Sequence, residues 1–423
     1  METKFSTEPA CVDALENEFP TPARAQFYIP TVEGKEVYYF CGNSLGLQPK
    51  STAQYIQGEL EQWKNLGVEA HFQGDKPWLH YHQFSKKITA KLVGAKENEV
   101  VMMNSLTTNL HLLLISFYSP TKQKFKIITE AGAFSSDQYA LETQVKLHGL
   151  NPEEVIIELL PRKGEYNLRT TDILATIAKH GNALALVLLG GVNYFTGQAF
   201  DLQKITEAAH RVGAKAGFDL AHAVGNIALQ LHDWQVDFAV WCSYKYLNAG
   251  PGGVGGAFVH EHYANDNLPR LGGWWGHIEA ERFLMKKNFQ PASGVDGWQL
   301  SNAPILPLAA YMASTEIFDN IGLDYLFKRS KILTAYLEFL LLKSNFDYNL
   351  QIITPSNPEE RGSQLSVIFK ENGKDIFNFL QKNRIIVDWR SPNVIRITPV
   401  PLYTTFKDIF VLIQTLSNYH LQR

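Results

Sequence analysis

The sequence predicts an α/β protein in which a mainly parallel, seven-stranded sheet forms a large unit and a smaller α+β unit follows it. Between about residues 90 and 260, short runs rich in Val, Ile and Leu alternate with amphipathic helical segments. Runs that are apolar along their whole length indicate strands covered on both faces, as in parallel sheets wrapped by helices. The chain has 423 residues, of which 45% are hydrophobic and 19% charged, so a disordered protein is excluded and two or three structural units are expected.

Seven strands are expected at these apolar runs. They lie at 99–103, 126–129, 155–159, 183–189, 214–219, 238–242 and 256–260. A helix at 202–212 shows how one crossover is encoded, because apolar residues recur at helical spacing from Ile205 to Val212 and Gly213 follows as a helix stop. Together with the strands on either side, this helix predicts one βαβ unit.

After Asn302 the alternation of apolar strands and helices gives way to a different pattern. A long helix is expected at 307–345, followed by a Pro-rich break at 354–358, strands at 364–369, 385–388 and 394–397, and a final helix at 405–419. We therefore divide the chain into an N-terminal segment of residues 1–60 that crosses the junction, a large unit of residues 61–305 and a small α+β unit of residues 306–423.

Charge and hydropathy exclude two classes of partner. The 39 basic and 42 acidic residues leave a net charge of −3, and no long Lys or Arg run occurs, so nucleic-acid binding is not expected. The longest nearly apolar stretch, residues 183–192, is about half of the roughly 20 residues that a membrane-spanning helix needs. The N-terminus mixes acidic and polar residues where a secretory signal needs a basic start and an apolar block, so we expect a cytoplasmic protein.

Cysteine and histidine usage bounds the redox and metal chemistry. Cys11, Cys41 and Cys242 are an odd, widely spaced set, which fits reduced thiols rather than a disulfide framework. Histidine pairs at 80 and 82 and at 260 and 262 could each chelate a metal, but neither has an evident third ligand nearby. No metal site is therefore predicted.

Polar and glycine-rich segments cluster where predicted strands end, at 190–201, 218–226 and 242–253. Open parallel sheets bind their ligands at these carboxyl ends. Asp219 stands at one strand end and His222 follows it, while Lys245, flanked by Ser243 and Tyr244, precedes a glycine-rich loop. This arrangement fits pyridoxal phosphate.

The chemistry of pyridoxal phosphate explains why these residue types occur together. A lysine in a partly desolvated site loses its proton readily and forms an imine with the cofactor aldehyde, a role for Lys245. A carboxylate facing the pyridine nitrogen keeps it protonated, so that the ring accepts electrons, and Asp219 suits this role. The hydroxyl residues that begin the apolar helix expected at 105–114 offer donors to a phosphate. Phe134 could stack on the ring, and Asp137 could accept a hydrogen bond nearby.

Each residue also has a plainer explanation. An isolated lysine is usually a solvated surface amine, although Tyr and Ser neighbours at an apolar strand end favour a site for Lys245. Asp219 alone could cap the following helix, and Thr107 and Thr108 could be N-caps without a ligand. A single phenylalanine such as Phe134 is more often part of the core. The pairing of Asp219 with Lys245 favours the cofactor site.

Longer motifs add to this interpretation, because through them the chain resembles the kynureninase family of fold type I, aspartate aminotransferase-like pyridoxal phosphate enzymes. The resemblance runs nearly end to end, in family order, through YFCGNSLGLQPK, HFQGDKPW, NSLTTNLHLLL, GVNYFTGQAFD, GFDLAHAVGN, SYKYLNAGPGG, GWWGH, QLSNAPI and VIRITPVPLYTTF. The last four motifs, together with GNSLG, are specific to this family rather than general to fold type I.

The resemblance implies a role for each matching residue. Lys245 would carry the cofactor as a Schiff base, Asp219 would pair with the pyridine nitrogen, and Tyr244 would be the general acid. The other cofactor contacts would be Leu106, Thr107, Phe134, Asp137 and His222, with Trp274 and Asn302 supplied across the interface of a homodimer. The substrate contacts would be Arg396, as a clamp for the α-carboxylate, with Ser44, His71 and Asn302.

The implied reaction is hydrolysis of L-kynurenine to anthranilate and L-alanine, with 3-hydroxy-L-kynurenine as an alternative substrate that gives 3-hydroxyanthranilate, in tryptophan catabolism and NAD biosynthesis. Two alternatives are a cysteine desulfurase-like lyase, which would need a mobile nucleophilic thiol, and a non-catalytic protein that keeps the fold and binds the cofactor. Two positions depart from the family pattern. Gly190 stands where many members have a Ser or Thr that contacts the cofactor, and Trp275 replaces a common Phe.

Overall fold

The computed structural model of the chain describes residues 5–343 and 350–421. Its first part consists of the helix α1 (Pro9–Glu18), the short strands β1 (Thr31–Val32), β2 (Lys35–Glu36) and β3 (Tyr38–Tyr39), and the helices α2 (Thr52–Leu66) and α3 (Lys86–Val93). β1 and β2 pair as a small antiparallel hairpin. This part of the chain contributes residues to two of the hydrophobic cores described below.

A seven-stranded sheet forms the centre of the larger unit. Its strands are β4 (Val100–Met102), β5 (Lys126–Glu130), β6 (Ile156–Leu159), β7 (Leu184–Gly190), β8 (Lys215–Asp219), β9 (Phe238–Cys242) and β10 (Gly255–Val259). They lie in the order β4-β10-β9-β8-β7-β5-β6, and only β10 runs antiparallel to its neighbours. The predicted fold class is therefore confirmed, and each predicted strand is present with ends that differ by at most one residue.

Helices lie between these strands along the chain because parallel neighbours need crossovers. They are α4 (Leu106–Phe117), α5 (Ser135–Leu147), α6 (Pro152–Val155), α7 (Thr170–His180) and α8 (Leu202–Arg211). A short helix, α9 (Glu279–Arg282), follows β10. The prediction of a helix at 202–212 is confirmed by α8. The Asp201 carboxylate accepts a hydrogen bond from the Lys204 backbone N–H at 3.1 Å and caps this helix, while Ile205 and Ala209 are fully buried against the sheet.

The single long helix predicted at 307–345 is wrong, because two helices occupy this region. They are α10 (Ile305–Ile321) and α11 (Leu323–Lys343), and residues 344 and 345 lie outside the described residues. Gly322 separates them with a φ of +90°, a conformation that residues with a side chain rarely adopt. Its N–H bonds to the Phe318 carbonyl at 2.9 Å, so α10 ends there.

The C-terminal part of the chain forms a smaller α+β unit. Its elements are β11 (Leu350–Ile352), β12 (Leu365–Phe369), α12 (Gly373–Lys382), β13 (Ile385–Ile386), β14 (Asp388–Arg390), β15 (Val394–Ile397) and α13 (Phe406–Leu421). An antiparallel sheet has the order β11-β12-β15-β14. The strand predicted at 385–388 is wrong as a single element, because β13 pairs with β3 near the N-terminus whereas β14 pairs with β15. β11 was not predicted.

Three large hydrophobic cores among the described residues are each built from distant parts of the chain. The largest packs one face of the seven-stranded sheet against its helices and includes Tyr311 of α10, whose hydroxyl lies 2.8 Å from the Thr89 hydroxyl. A second packs α4 and α5 against the other face of this sheet. The third joins α11, α13 and the C-terminal sheet to Leu15 of α1 and to Phe40. Among the described helices, none is long and apolar enough to cross a membrane.

Candidate active site

Four parallel strands and the loop after the last of them meet at one edge of the large sheet. β5, β7, β8 and β9 are parallel, so their carboxyl ends meet at this edge, and the register pairs Gly190 at the end of β7 with Asp219 at the end of β8. The loop that follows β9 carries Tyr244 and Lys245 to the same edge. One pocket opens there, lined by Leu106, Thr107, Glu130, Phe134, Ser136, Asp137, Gly190, Val192, Tyr194, Asp219, Ala221, His222, Tyr244 and Lys245.

This pocket brings together eight of the residues singled out in the sequence. They are Leu106, Thr107, Phe134, Asp137, Asp219, His222, Tyr244 and Lys245. The side chain of Phe134 is 48% exposed and lies in this opening, so the alternative that it is an ordinary core residue does not hold. These residues come from separate stretches of the sequence, and the strand order of the sheet brings them together.

Lys245 lies among both polar and aromatic groups. Its Nζ atom is 3.0 Å from Nε2 of His222 and 5.9 Å from the ring centroids of both Phe134 and Tyr244. Burial lowers the pKa of His222 well below its ordinary value, and the nearby Lys245 charge lowers it further. The imidazole is therefore neutral, and Nε2 is free to accept a hydrogen bond from the lysine ammonium.

A pair of buried carboxyl groups faces the same pocket. Burial raises the pKa of Asp219, while the positive charge of Lys245 and the Ala221 N–H, 2.7 Å from Asp219 Oδ1, oppose the rise. Burial and the Asp219 charge raise the pKa of Asp137 well above its ordinary value. Asp137 is therefore the protonated member of the pair, and its hydrogen bond to Asp219 stabilises the Asp219 carboxylate.

An anion could bind at the N-terminus of α4. The first N–H groups of a helix have no partner within the helix, and the helix dipole favours negative charge there. Thr107 adds a hydroxyl, 2.7 Å from the Ser136 hydroxyl, at the edge of the pocket. Gly255 allows this helix end to approach β10, since a Cβ there would lie 2.9 Å from the Leu106 backbone nitrogen.

The residues present fit pyridoxal phosphate. Two buried polar atoms at the pocket, Oδ1 of Asp137 and Nδ1 of His222, have no hydrogen-bond partner among the described residues. A ligand bound in the pocket would offer both atoms a partner. A polar ring between the carboxyl pair and Lys245, with its phosphate at the start of α4, would use the donors and acceptors that the pocket offers.

Arg396 of β15 lies beside the pocket rather than in its wall. Its guanidinium is 1% exposed, donates from Nη1 to the Tyr194 carbonyl at 2.6 Å and from Nη2 to the Ser44 hydroxyl at 3.2 Å, and forms an ion pair with Asp388. Burial lowers the pKa of Arg396 to about 10, so the group stays positively charged at neutral pH. Ser44 in turn donates to Asp388 at 2.9 Å.

The structure does not bring three further predicted residues to this pocket. His71 contacts the Val68 carbonyl through Nδ1 at 3.0 Å, Asn302 is exposed, and Trp274 is 45% exposed with its indole N–H donated to the Arg282 carbonyl. None of the three is in the wall formed by a single chain. Their roles stay predictions. Trp275, beside Trp274, is buried.

Glu130 is a pocket residue that sequence reasoning missed. It ends β5, is 5% exposed, and burial raises its pKa. Its Oε1 atom accepts the Gly190 N–H at 3.1 Å, and a Cβ at position 190 would lie only 2.9 Å from that oxygen. The signal in the sequence was an acid directly after an apolar strand, the same signal that identified Asp219.

The N-terminal segment closes the back of the lysine loop. The Gly46 N–H donates to the Tyr244 carbonyl at 2.8 Å. A Cβ at position 46 would lie 2.4 Å from the Lys245 carbonyl oxygen and 2.3 Å from Asn248 Oδ1, so only glycine permits this approach.

Neither cysteine near the pocket suits thiol chemistry. Burial raises the pKa of Cys41 to about 12 and also raises that of Cys242. Both thiols are buried. A mobile nucleophilic thiol is not found at either position.

One histidine cluster corrects the sequence argument about metals. His260 was expected to lack a third ligand, but folding brings Glu99 and His232 next to it, with the possible ligand atoms within 4.8 Å of one another. His232 Nδ1 lies 2.9 Å from Glu99 Oε1, and His260 Nε2 lies 3.2 Å from the His232 carbonyl. These groups are thus already paired within the protein.

The chain is similar to known proteins in both sequence and structure. A family model described as the kynureninase C-terminal domain matches residues 326–416. Proteins named kynureninase from Flavobacterium psychrophilum and Myxococcus xanthus are each 54% identical to the chain, over 395 residues covering 93% of both chains and over 393 residues covering 92% of both chains.

Solved structures share the fold at lower identity. A cysteine desulfurase from Thermococcus onnurineus NA1 superposes with a TM-score of 0.76 at 18% identity, covering 92% of this chain and 95% of that one. The cystine C-S lyase C-DES superposes with a TM-score of 0.75 at 16% identity, covering 90% and 97%. These similarities extend over both units of the chain.

Proposed function

The chain belongs to the kynureninase family, and from this we propose that it is a pyridoxal phosphate-dependent hydrolase that cleaves L-kynurenine to anthranilate and L-alanine. The observation that carries the proposal is the convergence of Lys245 and Asp219 on one pocket. 3-Hydroxy-L-kynurenine is the alternative substrate, giving 3-hydroxyanthranilate. The net reaction adds water across the Cβ–Cγ bond, so that Cγ becomes a carboxylate and Cβ becomes the methyl group of alanine.

We assign the cofactor contacts from the pocket wall. Leu106 and Thr107 would hold the phosphate at the start of α4, and Phe134 would lie against the ring. The neutral His222 and the protonated Asp137 would supply the remaining polar contacts, since each has a buried atom without a partner. When bound, pyridoxal phosphate supplies a carbon that reacts with amines and a ring that accepts electrons.

We assign three proton-handling roles. Lys245 would hold the cofactor through its amine and would take the proton from the substrate α-carbon. Asp219, supported by the Asp137 hydrogen bond, would hold a proton on the pyridine nitrogen. Burial raises the pKa of Tyr244, so its hydroxyl carries a proton at neutral pH and can deliver it to the substrate Cβ.

We propose that Arg396 binds the substrate α-carboxylate, with Ser44, His71 and Asn302 at the substrate. Burial supports this role because a buried guanidinium binds a carboxylate strongly. We also propose that the enzyme works as a homodimer in the cytoplasm, with Trp274 and Asn302 completing the neighbouring active site, and that it serves tryptophan catabolism and NAD biosynthesis. The exposure of Trp274 and Asn302 supports a partner contact.

The test is the release of anthranilate from L-kynurenine, followed by fluorescence on protein purified with pyridoxal phosphate. Wild-type protein should release anthranilate and L-alanine in equal amounts. A protein that binds the cofactor yet forms no product from either kynurenine or 3-hydroxykynurenine would instead be the non-catalytic alternative. A desulfurase-like activity is not favoured, because both cysteines near the pocket are buried with raised pKa values.

A further inference from the structure

The Glu130 carboxylate holds both ends of the segment that follows β7. Its Oε1 accepts the Gly190 N–H at 3.1 Å, and its Oε2 accepts from the Asn193 side-chain amide at 2.6 Å. The Glu130 side chain is itself buried, and an unsatisfied polar atom there is costly. Each oxygen of Glu130 therefore has a defined donor.

Asn193 carries this contact into the next turn. Its amide nitrogen donates to Glu130, while its Oδ1 accepts the backbone N–H groups of Phe195 at 3.0 Å and Thr196 at 2.8 Å. Such a side-chain to backbone pattern fixes a turn. The residue inside this turn is Tyr194.

Tyr194 lies between the pocket and the guanidinium of Arg396. Its carbonyl accepts from Arg396 Nη1 at 2.6 Å, and its ring meets Phe134 edge-on with centroids 5.5 Å apart. A shift of the turn would therefore move a hydrogen-bond partner of Arg396. No direct contact between Glu130 and Arg396 is needed for this effect.

We propose that Glu130 is a positioning residue which, through Asn193 and Tyr194, orients the Arg396 guanidinium for the substrate carboxylate. This inference rests on the proposed function, in which Arg396 binds that carboxylate. Its specific requirement is complementary polarity: the side chains at 130 and 193 must form one donor–acceptor pair, while position 130 also accepts the Gly190 N–H.

The test is an exchange of polarity between two positions. Glu130→Gln forces one amide nitrogen to face a donor, either the Gly190 N–H or the Asn193 amide, and should raise KM for kynurenine about tenfold with a much smaller change in kcat. Asn193→Asp sets two carboxyl groups face to face and should also raise KM. The double variant restores the pairing, since a Gln at 130 can donate to an Asp at 193 that still accepts from Phe195 and Thr196. Its KM should return to within about threefold of wild type.

A matched control separates positioning from stability. Glu99→Gln changes another fully buried glutamate that accepts several hydrogen bonds, but Glu99 is outside the pocket wall. It should lower the melting temperature without changing KM. The absorption spectrum of the bound cofactor should be the same in wild type, in both single variants and in the double variant, because none of these changes alters the chemistry of the ring.

Three results would overturn the inference. They are a double variant no better than the worse single variant, a fall in kcat at constant KM, or a KM that stays at the wild-type value in both single variants. If Glu130→Gln does not fold, Asn193→Asp and the double variant still give the comparison. Anthranilate release by the wild-type protein is measured first. If the wild type releases none, the proposed function is refuted rather than this inference.

Discussion

The Nζ atom of Lys245 lies 3.0 Å from Nε2 of His222, an imidazole that burial keeps neutral. A protonated His222, whose side chain is buried, would put a second positive charge in contact with that of Lys245. The pairing therefore makes the protonation state of His222 a condition for the arrangement of the lysine.

The first prediction concerns pH and follows from that pairing. The pKa of His222 is lower in the folded chain than in the unfolded chain, where the ordinary value is 6.5. Below that pH His222 binds a proton in the unfolded chain but not in the folded chain, so the free energy of unfolding falls as the pH falls. We expect wild type to lose about 1 kcal/mol relative to His222→Gln between pH 6.5 and 5.5, measured by denaturant unfolding at each pH. Parallel curves for the two proteins would contradict it.

The second prediction concerns the lysine itself. Lys245→Ala should abolish anthranilate release and the visible absorption of bound cofactor, because no other amine lines the pocket among the described residues. Lys204→Ala is the matched control, since Lys204 lies on α8 with 62% of its side chain exposed. It should leave both readouts unchanged. Retained colour in the Lys245→Ala protein would show that a different group holds the cofactor.

The third prediction separates the two aspartates. Asp219→Asn removes the carboxylate and should lower kcat by about 100-fold or more, with the cofactor still bound. Asp137→Asn should cost less than about tenfold, because an amide N–H can replace the Asp137 proton in the hydrogen bond to Asp219. Steady-state kinetics on both variants measures the contrast, and equal losses would refute the assignment of the proton to Asp137.

Asp137 also gives a prediction for stability. Its pKa is raised in the folded chain, so the folded chain holds a proton that the unfolded chain releases once the pH passes about 4. The raised pKa of Asp137 therefore lowers the free energy of unfolding at neutral pH, and this loss grows as the pH rises toward the pKa of the folded chain. The cofactor-free Asp137→Asn protein should therefore melt a few degrees above wild type at pH 7, with little difference at pH 4. Calorimetry at the two pH values would detect a reversed order.

The last prediction concerns the carboxylate clamp. Arg396→Lys keeps the charge but loses the fork of donors that now reaches both Tyr194 and Ser44. KM for kynurenine should rise about 10- to 100-fold, with a smaller change in kcat. Arg390→Lys, at a partly exposed neighbour of Asp388, serves as the control and should change KM little. A kynurenine ester, which lacks the carboxylate charge, should distinguish wild type from Arg396→Lys far less.

The sequence predicted the strand-end residues well for a physical reason. The apolar stretches of β8 and β9 run to the sheet edge, so polar residues at or shortly after the end of each strand had to lie there, and Asp219 and Lys245 were found there. Glu130 follows a run of the same kind but belongs to none of the motifs considered. Its importance depends on Gly190 and Asn193, which only the strand order brings to it.

Other features could not be predicted because they depend on contacts between distant segments. The break between α10 and α11 rests on the positive φ of one glycine, Gly322, inside a pattern that is otherwise helical. Asp388 approaches Arg396 because β14 pairs with β15, and the predicted strand at 385–388 concealed that pairing. His232 and Glu99 reach His260 from other elements, so spacing along the chain gave no signal.

Gly46 ties the beginning of the chain to the loop that carries the reactive amine. Loss of that early segment by proteolysis would deprive the loop of its backing and would also remove Phe27 and Leu47 from the core of the large sheet. Vitamin capture should thus fail in the clipped enzyme. During synthesis, the same contact makes cofactor loading a late event, since the first-made residues have to dock onto a loop that emerges from the ribosome much later.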